Sequence, residues 1–332
     1  MSDNERLRVL FLPLPGVPGM FGDEVVKAVT KNHEITVFDH ESDVASQFTG
    51  IDVVIDLGGS VGTREMLHAA TSARLWQVLG MGLDHFDLDY WRENGMPVAH
   101  CPGPLSAIPL GECALMFILM LARRYQESHA LLREGVLHQP SGTELGGQRL
   151  GIVGFGSSGR ELASRAKAFN MEIEAVDVVP LSPEDAEHFG VVNFVGPDGL
   201  DDILPRLDYL SVHLPLNDET HHIIDGRRLA LLKPGACVIN VARGELVDEE
   251  ALLEFLQSGH LAGAGLDVFG EEPLPTNSPF LDLPNVALLP HVSGSTDGTA
   301  RRRAALAAVN CDCLLYTSPS PRDATLSRMP SS

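Results

Sequence analysis

The sequence predicts an α/β protein with two parallel-sheet domains, and three observations carry that prediction. Short β-rich runs alternate with helical intervals twice along the chain. A proline-rich junction, "CPGPLSAIP" at residues 101–109, separates the two alternations. The second alternation opens with an apolar strand that runs into Gly154, Gly156 and Gly159 and then into a helical stretch. A chain of 332 residues is long enough to give each domain its own core.

Taken in order, the first domain is placed at residues 1–105. Strands are expected at "RVLFLPL" (8–14), "EITVFD" (34–39), "IDVVIDLGG" (51–59) and "LWQVLGMG" (75–82), with a helix at Asp23–Lys31. In such a unit the functional loops lie at the carboxyl ends of the strands. A near-continuously apolar helix follows from Leu110 to Arg124, with too little polar face for a surface. It is expected to be buried between layers or domains, and its run "ALMFILMLA" (114–122) is too short to span a bilayer. The second domain, 106–290, should hold strands near 150–154, 173–177, 191–195, 208–213, 236–240, 263–267 and 286–289. A periodic helix near 299–311 follows and completes the first domain. Residues 313–332 are rich in Ser, Pro and Thr without a sustained period, so a disordered or non-native tail is expected.

Charge narrows the function. Against 24 basic side chains stand 45 acidic ones, a formal charge of −21 that repels DNA, RNA and anionic lipid. Neither nucleic acid nor a membrane is an expected partner, and an anionic substrate would need a specifically placed cation. Cys101, Cys113, Cys237, Cys311 and Cys313 are odd in number and form no zinc pattern, so reduced thiols and no metal are expected. "MSDNERLRVLFLPLPG" has no cationic segment leading into a long apolar one, which makes a cytoplasmic location the default.

The turn "GFGSSG" reads as a dinucleotide cradle. Gly154 permits the tight turn, Gly156 leaves room for a pyrophosphate, and Gly159 lets helix and strand pack closely. Phe155, Ser157 and Ser158 fill the turn and the first helical positions, where free N–H groups face an anion. The next strand, "MEIEAVD", ends at Asp177, 18 residues after Gly159. A carboxylate there accepts from both hydroxyls of the adenosine ribose and repels a 2′-phosphate. No basic residue follows in "VVPLS" (178–182), which favours NAD over NADP. FAD is the competing cofactor, but the position of the unit in mid-chain, with further polar signals after it, points to NAD.

Three polar residues sit beside glycine or proline near strand ends. Arg243 follows the apolar "CVIN", Glu272 lies five residues after Asp267, and His291 follows "VALLP". A guanidinium offers a fork of donors suited to a carboxylate and an adjacent carbonyl. An imidazole steadied by a carboxylate is raised in pKa and can protonate a developing alkoxide. Taken singly, Arg243 also fits a solvated loop arginine and His291 a half-buried structural histidine.

In combination these segments resemble the D-isomer-specific 2-hydroxyacid dehydrogenase family over about residues 50–310. "LGIVGFGSSGRELASRAKAF", "VHLPLNDET", "LKPGACVINVARGELVDEEALLEFLQSG", "AGAGLDVFGEEPLP" and "LPNVALLPHVSGST" follow its pattern in order. The resemblance implies two hinged Rossmann-like domains joined by interdomain helices, a homodimer, and hydride exchange between NAD and C2 of a small 2-oxo or 2-hydroxy acid. It implies that Arg243 binds and polarises the substrate, His291 is the acid/base, and Glu272, directly before Pro273, is its partner in preference to Glu271. It further places His213, Pro215, Thr220, Val241, Ala242, Asp267, His291 and Gly294 at the cofactor, with Asp267 also supporting the site. "GMGLDHFDLD" (80–89) resembles the substrate loop, so that Gly80, Met81 and Gly82 would face the substrate carboxylate, and Gly58, Gly59 and Ser60 would line the same pocket.

Three departures qualify the match. "WQVLGMG" lacks the arginine many relatives carry before the glycine turn, which counts against subgroups that hold a phosphate or second carboxylate with it. "PLSAIPLGE" replaces the common asparagine–serine segment, and relatives return to the first domain with a longer terminal region. The alternative from another class is a dinucleotide-sensing regulator or corepressor of the same fold.

Overall fold

The computed structural model describes residues 6–17, 19–58, 62–83 and 86–316. These form two compact units, one of residues up to 105 together with those from 295 onward, the other of residues 106–294.

The first unit is built on a five-stranded parallel sheet of β1 (Arg8–Leu12), β2 (Glu34–Val37), β3 (Val53–Asp56), β4 (Leu75–Val78) and β5 (Val98–Ala99), in the order β2-β1-β3-β4-β5. Every residue of β3 and β4 is buried, as expected of parallel strands covered on both faces. Alternate residues divide between two cores. Val9, Phe11, Val53 and Ile55 pack with Ala300, Ala304, Ala307 and Cys311 on one face, while Leu10, Leu12, Val54, Trp76 and Val78 pack with Phe48 and Trp91 on the other.

The helix Asp297–Tyr316 therefore belongs to this unit. It runs from the carboxyl end of the sheet towards the amino end. Arg302 Nε donates to Leu105 O (2.8 Å), Asn310 Nδ2 to Gln77 Oε1 in β4 (2.5 Å), and Asp312 Oδ1 lies 3.0 Å from His33 Nε2, just before β2. It continues to Tyr316, past the expected end and four residues into the segment 313–332 assigned to a tail, because Leu314 and Leu315 still find the core. The rest of that segment, 317–332, lies outside the described residues.

The apolar helix begins at Pro104, six residues before the expected Leu110, and ends at Ala122. Pro109 inside it has no N–H to give Leu105 O four residues back. Arg302 fills that acceptor instead. An 18-residue window of this helix has a mean hydropathy of 2.0, so by length and composition alone the whole helix, unlike its central run, is long and apolar enough to cross a bilayer. Half of that stretch is buried in the protein, and Cys113, Ala114, Phe117, Ile118 and Ala122 pack in the core of the second unit. A second helix, Tyr125–Arg133, is not expected from the sequence.

The second unit has seven parallel strands: β6 (Arg149–Val153), β7 (Glu172–Val176), β8 (Val191–Val195), β9 (Tyr209–Val212), β10 (Cys237–Asn240), β11 (Gly263–Leu266) and β12 (Val286–Leu288). Their order is β12-β11-β10-β9-β6-β7-β8. Succession runs outward in both directions from the neighbours β6 and β9, so the crevice of this doubly wound sheet opens at their carboxyl ends. Glycines in β11 admit the apolar helix: a Cβ on Gly265 would come within 2.5 Å of the Phe117 side chain. Cys101, Cys113, Cys237 and Cys311 are buried free thiols.

Candidate active site and cofactor cradle

The turn after β6 is shaped by what its glycines lack. Gly154 has φ +95°, and a Cβ there would lie 2.6 Å from His213 O. A Cβ on Gly159 would overlap Gly154 O, so helix and strand could not approach as they do. At Gly156 the opposite holds, with open space around such a Cβ and no residue beyond its chain neighbours within 4 Å. Helix Ser157–Ala168 starts there without a side-chain cap, whereas Ser182, Asp225 and Asp248 cap later helices of the same unit. An uncapped helix terminus beneath open space suits a pyrophosphate.

Asp177 closes β7 beside this turn. Its Oδ2 accepts from Phe155 N (2.6 Å) and its Oδ1 from Val179 N (2.9 Å). Its carboxylate is thus aimed by backbone donors, while Phe155 itself is buried in the core. His213, at the end of β9, is buried, and its N–H donates to Val153 O (2.7 Å). Pro215 is exposed, and Thr220 sits in a turn ordered by Asn217, donating through Oγ1 to Pro215 O at 2.7 Å.

The loops after the adjacent strands β10, β11 and β12 carry Arg243, Glu272 and His291. Asn240, the last residue of β10, donates to Arg243 O (2.7 Å) and accepts from Ala242 N (3.1 Å), fixing the path of Val241, Ala242 and Arg243. Gly244 then passes so close to the Phe269–Gly270 peptide that any Cβ would overlap it. That approach brings the Arg243 loop against the Glu272 loop.

Glu272 Oε1 accepts from Phe269 N (3.0 Å), and Oε2 lies 2.7 Å from His291 Nδ1. His291 is held at φ +55°, a left-handed conformation costing about 1–3 kcal/mol for a residue of this type. Buried Asp267 enforces it: its carbonyl accepts from His291 N (2.7 Å), and its two carboxylate oxygens accept from Val292 N and Ser293 N (2.8 Å each). Both side-chain oxygens of Asp267 are committed to the turn that carries His291, and Gly294 follows it, half-buried.

The electrostatics follow from these contacts. The hydrogen bond to Glu272 raises the His291 pKa, against burial and the nearby Arg243, which lower it. Burial alone would raise the Glu272 carboxyl, but the bonds from His291 and Phe269 N and the Arg243 charge hold it below the usual carboxylate range. With Nδ1 tied to Glu272 and 46 % of the side chain exposed, Nε2 is the His291 ring nitrogen that Glu272 does not engage.

In the first unit, buried Asp56 at the end of β3 accepts from Gly58 N (3.1 Å), Gly62 N (3.2 Å) and Trp76 Nε1 (3.1 Å). Gly59 and Ser60 lie outside the described residues. After β4, Gly80 O accepts from Cys101 N (3.0 Å), His100 Nδ1 lies 3.1 Å from Met81 O, and the Met81 side chain is exposed just before Gly82.

Sequence reasoning does not single out Asn240, Asp56 or Gly244. Asn240 and Asp56 do leave a signal, a polar residue closing an otherwise apolar strand ("CVIN", "VVID"). Gly244 owes its importance to a segment 25 residues away, which no local pattern reveals.

Comparison with known proteins gives the family. Residues 115–293 match the family described as "D-isomer specific 2-hydroxyacid dehydrogenase, NAD binding domain". The chain is 36% identical over 261 residues to the glyoxylate reductase of Thermofilum pendens, covering 76% of this chain and 74% of that one. It is 37% identical over 257 residues to the hydroxypyruvate reductase of Thermotoga maritima, covering 76% and 81%. The crystal structure of D-lactate dehydrogenase from Aquifex aeolicus, complexed with NAD and lactic acid, superimposes with a TM-score of 0.77 at 27% identity, covering 93% of this chain and 95% of that one. The chain therefore belongs to the D-isomer specific 2-hydroxyacid dehydrogenases, which are NAD-dependent oxidoreductases.

Proposed function

We propose that the protein reversibly reduces a small 2-oxo acid to the 2-hydroxy acid, with His291 as acid/base, Glu272 as its partner and Arg243 as the substrate-binding cation. The observation that carries this reading is the 2.7 Å bond between His291 Nδ1 and Glu272, with Arg243 close enough to influence both titrations. The pyrophosphate would rest on the terminus of helix Ser157–Ala168 and the adenosine ribose on Asp177. NADH, when bound, supplies the hydride delivered to C2. His291 gives the carbonyl oxygen its proton from Nε2, since Nδ1 is engaged. Arg243 holds the carboxylate and stabilises charge growing on that oxygen, an effect worth roughly 3–4 kcal/mol for one well-placed donor. In a chain of net charge −21, that cation is what lets an anionic substrate settle.

On this reading the second unit binds the dinucleotide, and the first offers backbone N–H groups at Gly80, Met81 and Gly82. Glyoxylate and hydroxypyruvate head the substrate candidates, through the relatives' names. The comparisons lend nothing to a dinucleotide-sensing regulator or corepressor. A cytoplasmic homodimer is the proposed state. Exposed Met116, Tyr125, Leu132 and Leu137, on and just after the helices Pro104–Ala122 and Tyr125–Arg133, support a face covered by a second copy.

A panel of 2-oxo acids with NADH and with NADPH tests the function directly. Oxidation of NADH in preference to NADPH is expected with at least one small acid. Binding of NADH with no turnover on any acid would overturn it. The full chain should be compared with one ending at Tyr316, since shortening it further would cut into the helix that packs the first core.

A further inference from the structure

Under the glycine turn, His213 is enclosed between two hydroxyls. Its Nε2 lies 2.9 Å from Ser211 Oγ and its Nδ1 3.0 Å from Ser158 Oγ. Burial pushes its pKa down to about 4, so the ring is neutral at physiological pH. A neutral imidazole carries one N–H, so one of the two contacts donates and the other accepts.

The two tautomers differ in what they leave for a ligand. With the proton on Nε2, the ring donates to Ser211 and accepts the only hydroxyl hydrogen of Ser158. With the proton on Nδ1, the ring donates to Ser158, accepts from Ser211, and frees the Ser158 hydrogen to point elsewhere. Ser158 is the second residue of the helix whose terminus has no side-chain cap, next to the open space at Gly156.

We propose that His213 is a positioning residue for the dinucleotide. Binding of the pyrophosphate selects its Nδ1–H tautomer and aligns Ser211, His213 and Ser158 into a chain of hydrogen bonds directed at a phosphate oxygen. In such a chain each bond polarises the next, and the last donor strengthens towards an anion. Ser211 is fully buried and His213 nearly so, which keeps water from competing for either. The proposal rests on the reading that the pyrophosphate lies at this helix terminus.

The test is nitrogen NMR of the histidine rings in the full chain, with the His213 signals assigned by their loss in His213→Asn. Adding ADP-ribose should move Nδ1 to the protonated position and Nε2 to the unprotonated one, while adenosine, which lacks the pyrophosphate, should leave both unchanged. By calorimetry, Ser158→Ala should weaken ADP-ribose about tenfold or more and adenosine hardly at all. His213→Leu combined with Ser158→Ala should bind no worse than Ser158→Ala alone.

Gly156→Val separates the two ideas. Gly156 has an extended backbone (φ −76°, ψ −157°) and nothing near its Cβ, so this variant should fold normally and fill only the ligand's space. If it binds ADP-ribose as well as the parent, the pyrophosphate placement fails and the proposal with it. If it loses ADP-ribose while the His213 tautomer of the parent does not respond to that ligand, the relay alone is overturned.

Discussion

In the cradle after β6, the shaping residues are glycines, and the groups they present are backbone N–H donors and open space around Gly156. In the cluster after β10, β11 and β12, the candidate working groups are side chains, and each loop that carries one is held by a particular residue. Asn240 fixes the Arg243 turn, Asp267 the His291 turn, and Gly244 the contact between the Arg243 and Glu272 loops. The cradle is contiguous and made of main chain, so it should tolerate loss of most nearby side chains. The cluster is dispersed and made of side chains, so single truncations should cost rate. On the proposed function, the difference is a division of labour in which one region binds without chemistry and the other does chemistry on what is bound.

His291→Ala is the largest way to break that division. It should lower kcat by about 10²–10⁴-fold, the usual contribution of a positioned acid/base, while leaving the Kd for NADH unchanged. Stopped-flow binding with steady-state rates checks both halves. A Kd that rises as steeply as kcat falls would mean that the cluster is part of the cradle. Arg243→Ala should follow at about 10²–10³-fold in kcat, with a rise in KM for the 2-oxo acid that His291→Ala does not show. An unchanged KM would remove Arg243 from the substrate.

The same contrast explains what could be read from the sequence. Gly154, Gly156, Gly159 and Asp177 are legible because each acts within one strand–turn–helix–strand passage. The fold is legible for a similar reason, since every long parallel strand leaves its own apolar run. Strand β5 has two half-buried residues, too few for any period, and helix Tyr125–Arg133 has no buried residue to mark its face. The early start of helix Pro104–Ala122 is hidden by Pro109, because the donor that replaces its missing N–H is Arg302, nearly 200 residues later. Arg243, Glu272 and His291 are visible as residue types near strand ends. Their contact is not, because it depends on the neighbouring order of β10, β11 and β12 and on a glycine pressed against a distant peptide.

Glu272→Gln sharpens the comparison inside the cluster. The hydrogen bond to Glu272 is the largest influence raising the His291 pKa. On the proposed acid/base role, reduction needs the imidazolium, so activity is full below that raised pKa and falls as pH climbs through it. Removing the carboxylate lowers the pKa, and the falling limb of kcat/KM for reduction should move to lower pH, with a loss of about tenfold near neutrality. Oxidation of the 2-hydroxy acid needs neutral imidazole, so its rising limb should move the same way. A limb that stays in place in both directions would assign the titration to another group.

Asp177 offers the smallest effect and tests the side-chain component proposed for the ribose end of the cradle. Both its oxygens already accept main-chain N–H groups, from Phe155 and Val179, so the carboxylate is oriented before any ligand arrives. Asp177→Ala removes the proposed ribose acceptor, the charge proposed to repel a 2′-phosphate, and the support of the Phe155 turn together. Asp177→Asn removes the charge while keeping one oxygen acceptor. If repulsion sets cofactor choice, both variants should raise kcat/KM for NADPH relative to NADH by about tenfold, with no basic residue at 178–182 to carry the preference further. If turn support matters more, only Asp177→Ala should suffer, and it should lose both cofactors alike. An unchanged ratio in both variants would mean that selectivity against the 2′-phosphate is set elsewhere than at Asp177.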